Sequence, residues 1–291
     1  MTDKMFGTEG IFDTPGRITM GKDYLSIPGI DYLGHAVFHK ADAPLETHIH
    51  NNCMEFVFVV GGGQGYYIGD DYYQLVGGEG FISFMSQPHR SDENYQGVGE
   101  IYWMQLNLSC NENFLGYNRE LSMEITGRLQ EIDRHTFRFG PSLKKLLKST
   151  FDEFRQKGTT ITGLSSLMHL VSGVIECVHK GAFMENDLIE LDKYIKNHIN
   201  DDLSIEDLSK ASGFSVSTIQ HRFKNYFGRS PGEYINYMKI KKSKEYLIEG
   251  RSVTETAMIL GFNTSDYFST VFKKFNGVSP LKWVQKKRIP Q

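Results

Sequence analysis

Four residues in the first third of the chain have side chains that could bind a metal ion. His48 and His50 stand two residues apart, Glu55 follows, and His89 adds a third imidazole. On a strand, His48 and His50 would point the same way. Three histidines and one carboxylate suit iron, manganese, nickel or zinc. The pattern therefore predicts a shared polar site, with a metal centre as one of its uses.

Two other uses fit the same four residues. In one, they line a metal-free pocket that binds sugar hydroxyl groups, and Trp103 adds an aromatic wall. In the other, they only form hydrogen bonds inside a β structure. We expect the metal-free pocket, without a metal or other cofactor. Tyr102 and Phe84 are further candidates for the wall, although core packing is the expected role of each aromatic residue.

The last hundred residues contain a sequence repeat. Leu203–Pro231 matches Ser252–Pro280, and Gly213-Phe214 returns as Gly261-Phe262, 48 residues further on. Each copy has the layout of a helix-turn-helix, a unit that places one helix in the DNA major groove. The two copies predict that one chain binds two successive major grooves of DNA.

Local signals support helices in both copies. Ser204 to Asp207 has the spacing of a capping box, as does Ser252 to Glu255. Gly213 ends the short helix of the first copy, because glycine adopts the left-handed conformation without strain. Gly261 does the same in the second copy. A helix over Leu188–Ile199 precedes the repeat, Ser215 or Ser217 caps the next helix of the first copy, and a long helix over Pro231–Glu249 joins the two copies.

The segment 188–288 resembles the DNA-binding domain of the AraC/XylS family of bacterial transcription regulators. The second copy carries most of the signature: Gly261-Phe262, Asp266-Tyr267-Phe268-Ser269, Phe272-Lys273-Lys274, and Gly277-x-Ser279-Pro280-x-x-Trp283. The chain departs from the family in the long helix, where Lys239 and Ser243 stand in place of Arg and Ala. It departs again at Trp283-Val284, where Tyr-Arg is usual. These changes affect packing and a phosphate contact, not the fold.

The resemblance implies which side chains meet DNA. Base contacts would come from the exposed positions near the start of each recognition helix: Ser217, Gln220, His221, Ser265, Asp266, Ser269 and Thr270. Gln220 can pair with adenine and His221 can donate to guanine, so we expect the first copy to discriminate more strongly. Asp266 is expected to cap its helix rather than contact a base. Arg222, Lys224, Lys273 and Lys274 suit phosphate contacts. The basic run Lys239–Lys244 is a solvated face or a further basic surface.

Residues 1–108 show the pattern of a β domain. Short apolar or alternating runs lie between clusters of Gly, Asp and Asn: Tyr32–His39, Glu55–Val60, Gln64–Ile68, Tyr72–Leu75, Gly80–Phe84 and Ile101–Leu108. Gly61-Gly62-Gly63 and Gly69-Asp70-Asp71 predict hairpin turns. The spacing His48-x-His50-x₄-Glu55-x₆-Gly62 resembles the first cupin motif, and Gly80 to His89 resembles the second. The resemblance implies a small antiparallel barrel or jelly roll that acts as a sensor, often for a sugar.

Two amphipathic helices follow the β region. Ser142–Lys157 and Leu164–Lys180 carry apolar residues at helical spacing, and Gly181–Asp187 has the composition of a hinge. The two helices form part of the barrel core, a dimerisation surface, or both. We therefore expect an α+β chain with three segments: a cupin-like sensing domain over 1–140, a helical dimerisation segment over 141–183, and a double helix-turn-helix domain over 184–291.

Charge distribution, cysteine content and the lengths of apolar runs indicate which broad class of protein this chain belongs to. The net charge of −3 is uneven, because residues 190–291 hold 17 basic and 11 acidic side chains. A basic C-terminal segment joined to an acidic N-terminal part fits a nucleic-acid-binding domain linked to another domain. Three scattered cysteines, Cys53, Cys110 and Cys177, indicate reduced thiols and a cytoplasmic protein. Without a run of 18 apolar residues, no membrane span is expected.

Together these patterns predict a regulator that is not an enzyme. It binds operator DNA, its barrel responds to a carbohydrate effector, and it forms a homodimer, with RNA polymerase as a further candidate partner. The alternative is a cupin metalloenzyme or metal sensor fused to a DNA-binding domain.

Overall fold

The computed structural model describes residues 10–38, 45–92, 99–180 and 186–288. The chain divides into two compact units, residues 1–183 and 184–291. The first unit combines antiparallel strands with helices, and the second consists of helices. The α+β, two-domain fold class is therefore confirmed.

Antiparallel pairing builds the β part of the first unit. Its described strands are β1 (Ile11–Thr14), β2 (Arg17–Gly21), β3 (Ile30–Phe38), β4 (Cys53–Ile68), β5 (Asp71–Val76), β6 (Glu79–Ser83), β7 (His89–Ser91), β8 (Gly99–Asn107) and β9 (Thr136–Arg138). The order across the sheet is β1-β2-β3-β8-β4-β6-β9, and β5 and β7 also pair with β4. Strand β4 thus pairs with β6 and β8 through its first part and with β5 and β7 through its second part, and it forms the corner of the β barrel. Of the predicted strand Tyr32–His39, His39 lies outside the described residues.

One predicted hairpin is wrong and one is confirmed. Gly61-Gly62-Gly63 is no turn, because β4 runs through it for 16 residues with a register shift between Val59 and Gly61. Glycine is needed at the facing position 99, where a Cβ would lie 2.4 Å from the Gly61 carbonyl oxygen, and Gly62 has a left-handed φ of 79°. Gly69-Asp70 does form a turn, and β4 pairs directly with β5 from Ile68 to Asp71.

The sheet has an inner and an outer apolar face. The inner face includes Val57, Phe81 and Trp103, packed against Tyr66 and Leu75 of the β4–β5 hairpin. The outer face packs against helices α3 (Pro141–Lys157) and α4 (Ile161–Lys180). The shorter helices α1 (Lys22–Leu25) and α2 (Arg119–Gln130) complete the unit. One face of α3 and α4 is therefore core, while their role in dimerisation stays a prediction.

Helix α4 is also the one described helix that is long and apolar enough to cross a membrane, over Ile161–His179. Its apolar side, including Leu167, Val171 and Val174, is buried in the core of the first unit. The core helix of a folded domain passes the same composition test. Of the predicted hinge Gly181–Asp187, residues 181–185 lie outside the described residues.

The second unit contains seven described helices in chain order. They are α5 (Asn186–Asn197), α6 (Ile205–Ser212), α7 (Val216–Phe227), α8 (Pro231–Ile248), α9 (Val253–Ile259), α10 (Ser265–Asn276) and α11 (Pro280–Arg288). Both predicted capping boxes are present, at α6 and α9. Gly213 is left-handed, with φ of 74°. Helices α6–α7 form the first helix-turn-helix and α9–α10 the second.

Candidate functional site

The four predicted site residues of the barrel come together. His48 exchanges two backbone hydrogen bonds with His89, of 3.0 and 3.1 Å, although His48 lies outside the regular strands. Glu55 on β4 lies behind them, with one carboxylate oxygen 3.3 Å from His89 Nε2 and the other 3.7 Å from His50 Nε2. One ligand atom from each of the four residues lies within 4.8 Å of the others.

The charges of this cluster follow from burial and pairing. Burial alone raises the pKa of Glu55, but its contacts with His89, His50 and Gln105 outweigh burial and hold that pKa well below the usual value. Burial lowers the pKa of His89, but the hydrogen bond and charge of Glu55 raise it above its ordinary value. Burial lowers the pKa of His48 and of His50. Glu55 therefore stabilises the charged form of His89, whereas burial favours the neutral forms of His48 and His50.

Backbone carbonyls orient two of these rings. His48 Nδ1 donates to the carbonyl of Glu46 at 2.9 Å, and His89 Nδ1 donates to the carbonyl of Gln87 at 3.0 Å. The Nε2 atom of His89 consequently faces Glu55. A carbonyl on one ring nitrogen fixes the tautomer and orients the other nitrogen, as it does around metal-binding histidines.

A small cavity adjoins the cluster inside the barrel. Its volume is about 20 Å³, room for a water molecule or an ion. Trp103 lines it, and the guanidinium of Arg17 lies 4.8 Å from the centre of the Trp103 ring. Tyr102 and Phe84 instead pack with the outer core, so they do not extend the aromatic wall. Residues alternate between the two faces of a strand, and Tyr102 therefore points away from its neighbour Trp103.

Three polar atoms on the inner face lack a partner among the residues that the structure describes. They are Thr19 Oγ1, Ser83 Oγ and Trp103 Nε1, all buried. Thr19 is two residues from Arg17 on β2, and Ser83 pairs with Glu55 across β6 and β4. Buried polar groups are nearly always hydrogen-bonded, so such atoms indicate bound water or a polar ligand. Sequence patterns gave no signal for Arg17, Thr19 or Ser83, because only strand pairing brings them to the same face of the sheet as Trp103.

In the second unit, α7 exposes the predicted polar stripe. Ser215 caps the helix by accepting from Thr218 N, while Ile219 and Phe223 are buried. The outward residues at a spacing of three and four are Ser217, Gln220, His221 and Lys224. His221 is held by Asn225, whose amide nitrogen lies 3.2 Å from His221 Nε2. Arg222 is half-buried, with its guanidinium 4.4 Å from the centre of the Phe214 ring, so it helps to hold the turn of the first helix-turn-helix.

Helix α10 presents the corresponding residues of the second helix-turn-helix. Thr264 caps it by accepting from Tyr267 N, so the expectation that Asp266 is the cap is wrong. Asp266, Thr270 and Lys273 are exposed, and Ser265 and Ser269 are half-buried. Lys274 forms an ion pair with Glu233 at 3.5 Å. Tyr267 lies in the first turn of α10 and is 52% exposed. It was not predicted to contact DNA, because an aromatic side chain is usually expected in the core.

The basic run of α8 is neither a uniform solvated face nor a continuous basic surface. Lys241 is exposed and Lys242 pairs with Glu245. Lys239 and Lys244 are buried, only 4% and 8% exposed. The ammonium of Lys244 lies 5.6 Å from the centre of the Trp283 ring. Two of the four lysines therefore act in packing.

Comparison with known proteins points to the same segment. The family model of a helix-turn-helix domain matches residues 208–286. An uncharacterized HTH-type transcriptional regulator in the cgkA 5′ region of Pseudoalteromonas carrageenovora is 37% identical over 90 residues, which are 31% of this chain and 54% of that protein. The HTH-type transcriptional activator RhaS of Escherichia fergusonii is 25% identical over 175 residues, 57% of this chain and 61% of RhaS. The chain thus spans about half the length of the curated relatives it matches.

Among solved structures, ToxT from Vibrio cholerae O395 is 14% identical, with 86% of this chain and 95% of ToxT covered and a TM-score of 0.36. The family model therefore assigns a helix-turn-helix domain to residues 208–286 of the second unit, and the relatives named above are HTH-type transcriptional regulators.

Proposed function

We propose that the protein is a transcription regulator that binds operator DNA through both helix-turn-helix units. The observation that carries this proposal is the pair of matched helices, α7 and α10, each capped at its start, buried on its aromatic side and polar on its outer side. Each such helix fits one major groove. A single chain would cover two major-groove segments about one helical turn apart, and a homodimer would cover two such sites.

The exposed side chains divide by chemistry. Ser217, Gln220 and His221 suit base contacts in the first segment. In the second segment the candidates are Ser265, Asp266, Ser269 and Thr270. Asp266 can accept only from a base amino group, and with Thr264 as the cap it is available for that contact. Lys224 and Lys273 suit phosphate contacts, whereas Arg222 and Lys274 are already engaged with Phe214 and Glu233.

The barrel is proposed to bind a small polar effector, with carbohydrate as the first candidate. Its support is the set of three buried inner-face atoms, Thr19 Oγ1, Ser83 Oγ and Trp103 Nε1, that lack a partner among the described residues. Polar atoms and an aromatic ring on one face suit the hydroxyl groups and apolar faces of a sugar. The cavity holds little more than a water molecule, so a sugar would bind only after the barrel opens. A sugar that binds the open state more tightly would shift the population toward that state, and the proposed regulation requires that the shift also changes DNA binding.

A second candidate function for the barrel is metal sensing. His48, His50, Glu55 and His89 supply a donor set typical of zinc, iron, manganese or nickel, and the cavity has the size of an ion. Equilibrium dialysis against each metal decides this case. About one metal per chain, lost in His48→Ala and kept in the distant His179→Ala, supports metal sensing. Binding far below one metal per chain excludes it.

The test of the regulatory proposal is a mobility-shift assay with the upstream intergenic DNA of the gene. The assay is run with a panel of sugars, and with and without a chelator. A specific complex that one sugar alters and the chelator leaves unchanged supports the carbohydrate-sensing regulator. A specific complex that no sugar alters retains the DNA function and removes carbohydrate as the effector.

Two further proposals concern assembly and location. Helices α3 and α4 would supply a dimer contact, with Ile161 at 89% exposure on its surface. Sedimentation velocity of the full chain and of Ile161→Asp tests this: a dimer that the substitution dissociates supports it. The free thiols of Cys53, Cys110 and Cys177 fit a reducing, cytoplasmic setting, and RNA polymerase is retained as a candidate partner.

A further inference from the structure

One buried contact between the two helix-turn-helix units lies beside α8. Lys239 Nζ, on α8, donates to the backbone carbonyl of Asp201 at 2.8 Å. Asp201 belongs to the turn between α5 and α6, at the entry to the first helix-turn-helix. The same ammonium lies 5.5 Å from the centre of the ring of Phe262, in the turn of the second helix-turn-helix. One cation therefore contacts both units.

Gly261, in the turn of the second helix-turn-helix, also contacts the backbone at Asp201. We call this contact between the two turns and Lys239 the junction. Gly261 has φ of +64°, and a Cβ placed on it would lie 2.9 Å from the Asp201 carbonyl oxygen and 3.1 Å from Asp202 N. The turn of the second unit thus sits directly against the backbone that Lys239 binds. Any side chain at position 261 would force the two turns apart.

The burial of Lys239 favours one arrangement of the two units at this junction. Taking an ammonium out of water is costly unless it is hydrogen-bonded and compensated by charge. Burial lowers the pKa of Lys239, and the nearby acidic residues Asp202 and Asp201 oppose that shift. If the turns separated, the ammonium would lose its carbonyl partner while its stem stayed in the core. One arrangement of the two units is therefore strongly preferred.

We propose that Lys239 is a positioning residue that sets the spacing between the two recognition helices and so makes operator spacing part of the specificity. This rests on the proposed DNA-binding function. Inserting one base pair between the two recognised segments moves one by about 3.4 Å and turns it by about 35° relative to the other. A rigid pair of units cannot follow that change, whereas a hinged pair can.

The experiment uses the full chain and a site selected from a random duplex library. Dissociation constants are measured for that site and for versions with one base pair inserted or deleted between its two blocks. The proteins are wild type, Lys239→Met, Lys239→Arg and Lys241→Met. Lys241→Met is the matched control, since it removes the same charge from an exposed position of the same helix.

Wild type and Lys241→Met are expected to lose about 30-fold or more in affinity on insertion, the loss of two base contacts. Lys239→Met should lose less than about 5-fold, because the junction no longer fixes the spacing. Lys239→Arg, which can still donate to the carbonyl, should restore discrimination. Circular dichroism checks that each variant is folded, and Lys239→Gln replaces Lys239→Met if the latter does not fold.

Two outcomes overturn the inference. In the first, the wild-type protein binds the site with the inserted base pair as tightly as the original site, a result that requires no variant. In the second, a folded Lys239→Met discriminates as strongly as wild type. If wild type selects no sequence from the library, the proposed DNA-binding function itself is refuted, and the two failures are distinguishable.

Discussion

Replacing Thr19 by valine should stabilise the unliganded protein. Thr19 is 4% exposed, and its hydroxyl has no partner within the described part of the chain. An unpaired buried hydroxyl costs about 1–3 kcal/mol in proteins. Valine has nearly the same shape and is also β-branched, so strand preference changes little. The gain should be about 1–2 kcal/mol, or a rise in Tm of about 2–8 °C for a unit of this size.

Thr150→Val is the matched control. Thr150 is also buried, but its hydroxyl donates to the Leu146 carbonyl at 2.8 Å. Removing a satisfied hydrogen bond should cost about 0.5–1.5 kcal/mol. The two threonine-to-valine changes should therefore shift Tm in opposite directions.

The assay is differential scanning fluorimetry of the full chain, without ligand and then with a sugar that stabilises wild type. A ligand that binds the native state raises Tm. Thr19→Val should show a higher Tm alone and a smaller sugar-induced rise than wild type. If Thr19→Val lowers Tm as much as Thr150→Val does, the hydroxyl is satisfied in solution, and the reasoning that it awaits a ligand is wrong.

Three other predictions address DNA binding and pH. Gln220→Ala should reduce discrimination at one base pair by about 1–3 kcal/mol in competition binding, with affinity for random DNA unchanged; equal weakening of both would remove Gln220 from the base contacts. Lys273→Ala should weaken binding to all sequences and reduce the salt slope by about 1, measured by anisotropy at several salt concentrations. For Glu100, burial raises the pKa, but His35 and Lys148 outweigh it and lower the pKa from 4.5 to about 2. The ionised form is therefore stabilising above pH 4.5, and this is lost as pH falls toward 2. Urea titration should show Glu100→Gln about 1–2 kcal/mol less stable at pH 7, after allowance for solvent screening, with less than half that difference at pH 3; a constant difference would contradict the ion-pair account.

The second unit could be predicted closely because its signals are local. Capping boxes at Ser204 and Ser252 and the left-handed Gly213 depend on neighbours a few residues away, and the structure contains each of them. The predicted cap of α10, Asp266, was wrong because a second suitable residue lies close to it. Thr264 and Asp266 are both suitable caps, and the difference lies in where the chain turns after Phe262.

The first unit was harder because its contacts are long-range. The glycine run at 61–63 looks like a hairpin turn in the sequence, yet it is the bend of one long strand that Gly99 approaches closely. The gathering of His48, His50, Glu55 and His89 was predictable from their types and spacing. The unpaired atoms of Thr19 and Ser83 were not, since strand register alone places them inside the barrel. Whether these residues bind an effector stays a prediction.

The most direct test of the central claim is hydroxyl-radical footprinting of the full chain on a site selected from a random duplex library. The account predicts two protected segments about one helical turn apart on the same face of the duplex. Gln220→Ala should weaken the first segment, and Thr270→Ala the second. Protection of one segment only, or selection of no sequence at all, would contradict the claim that both helix-turn-helix units read DNA.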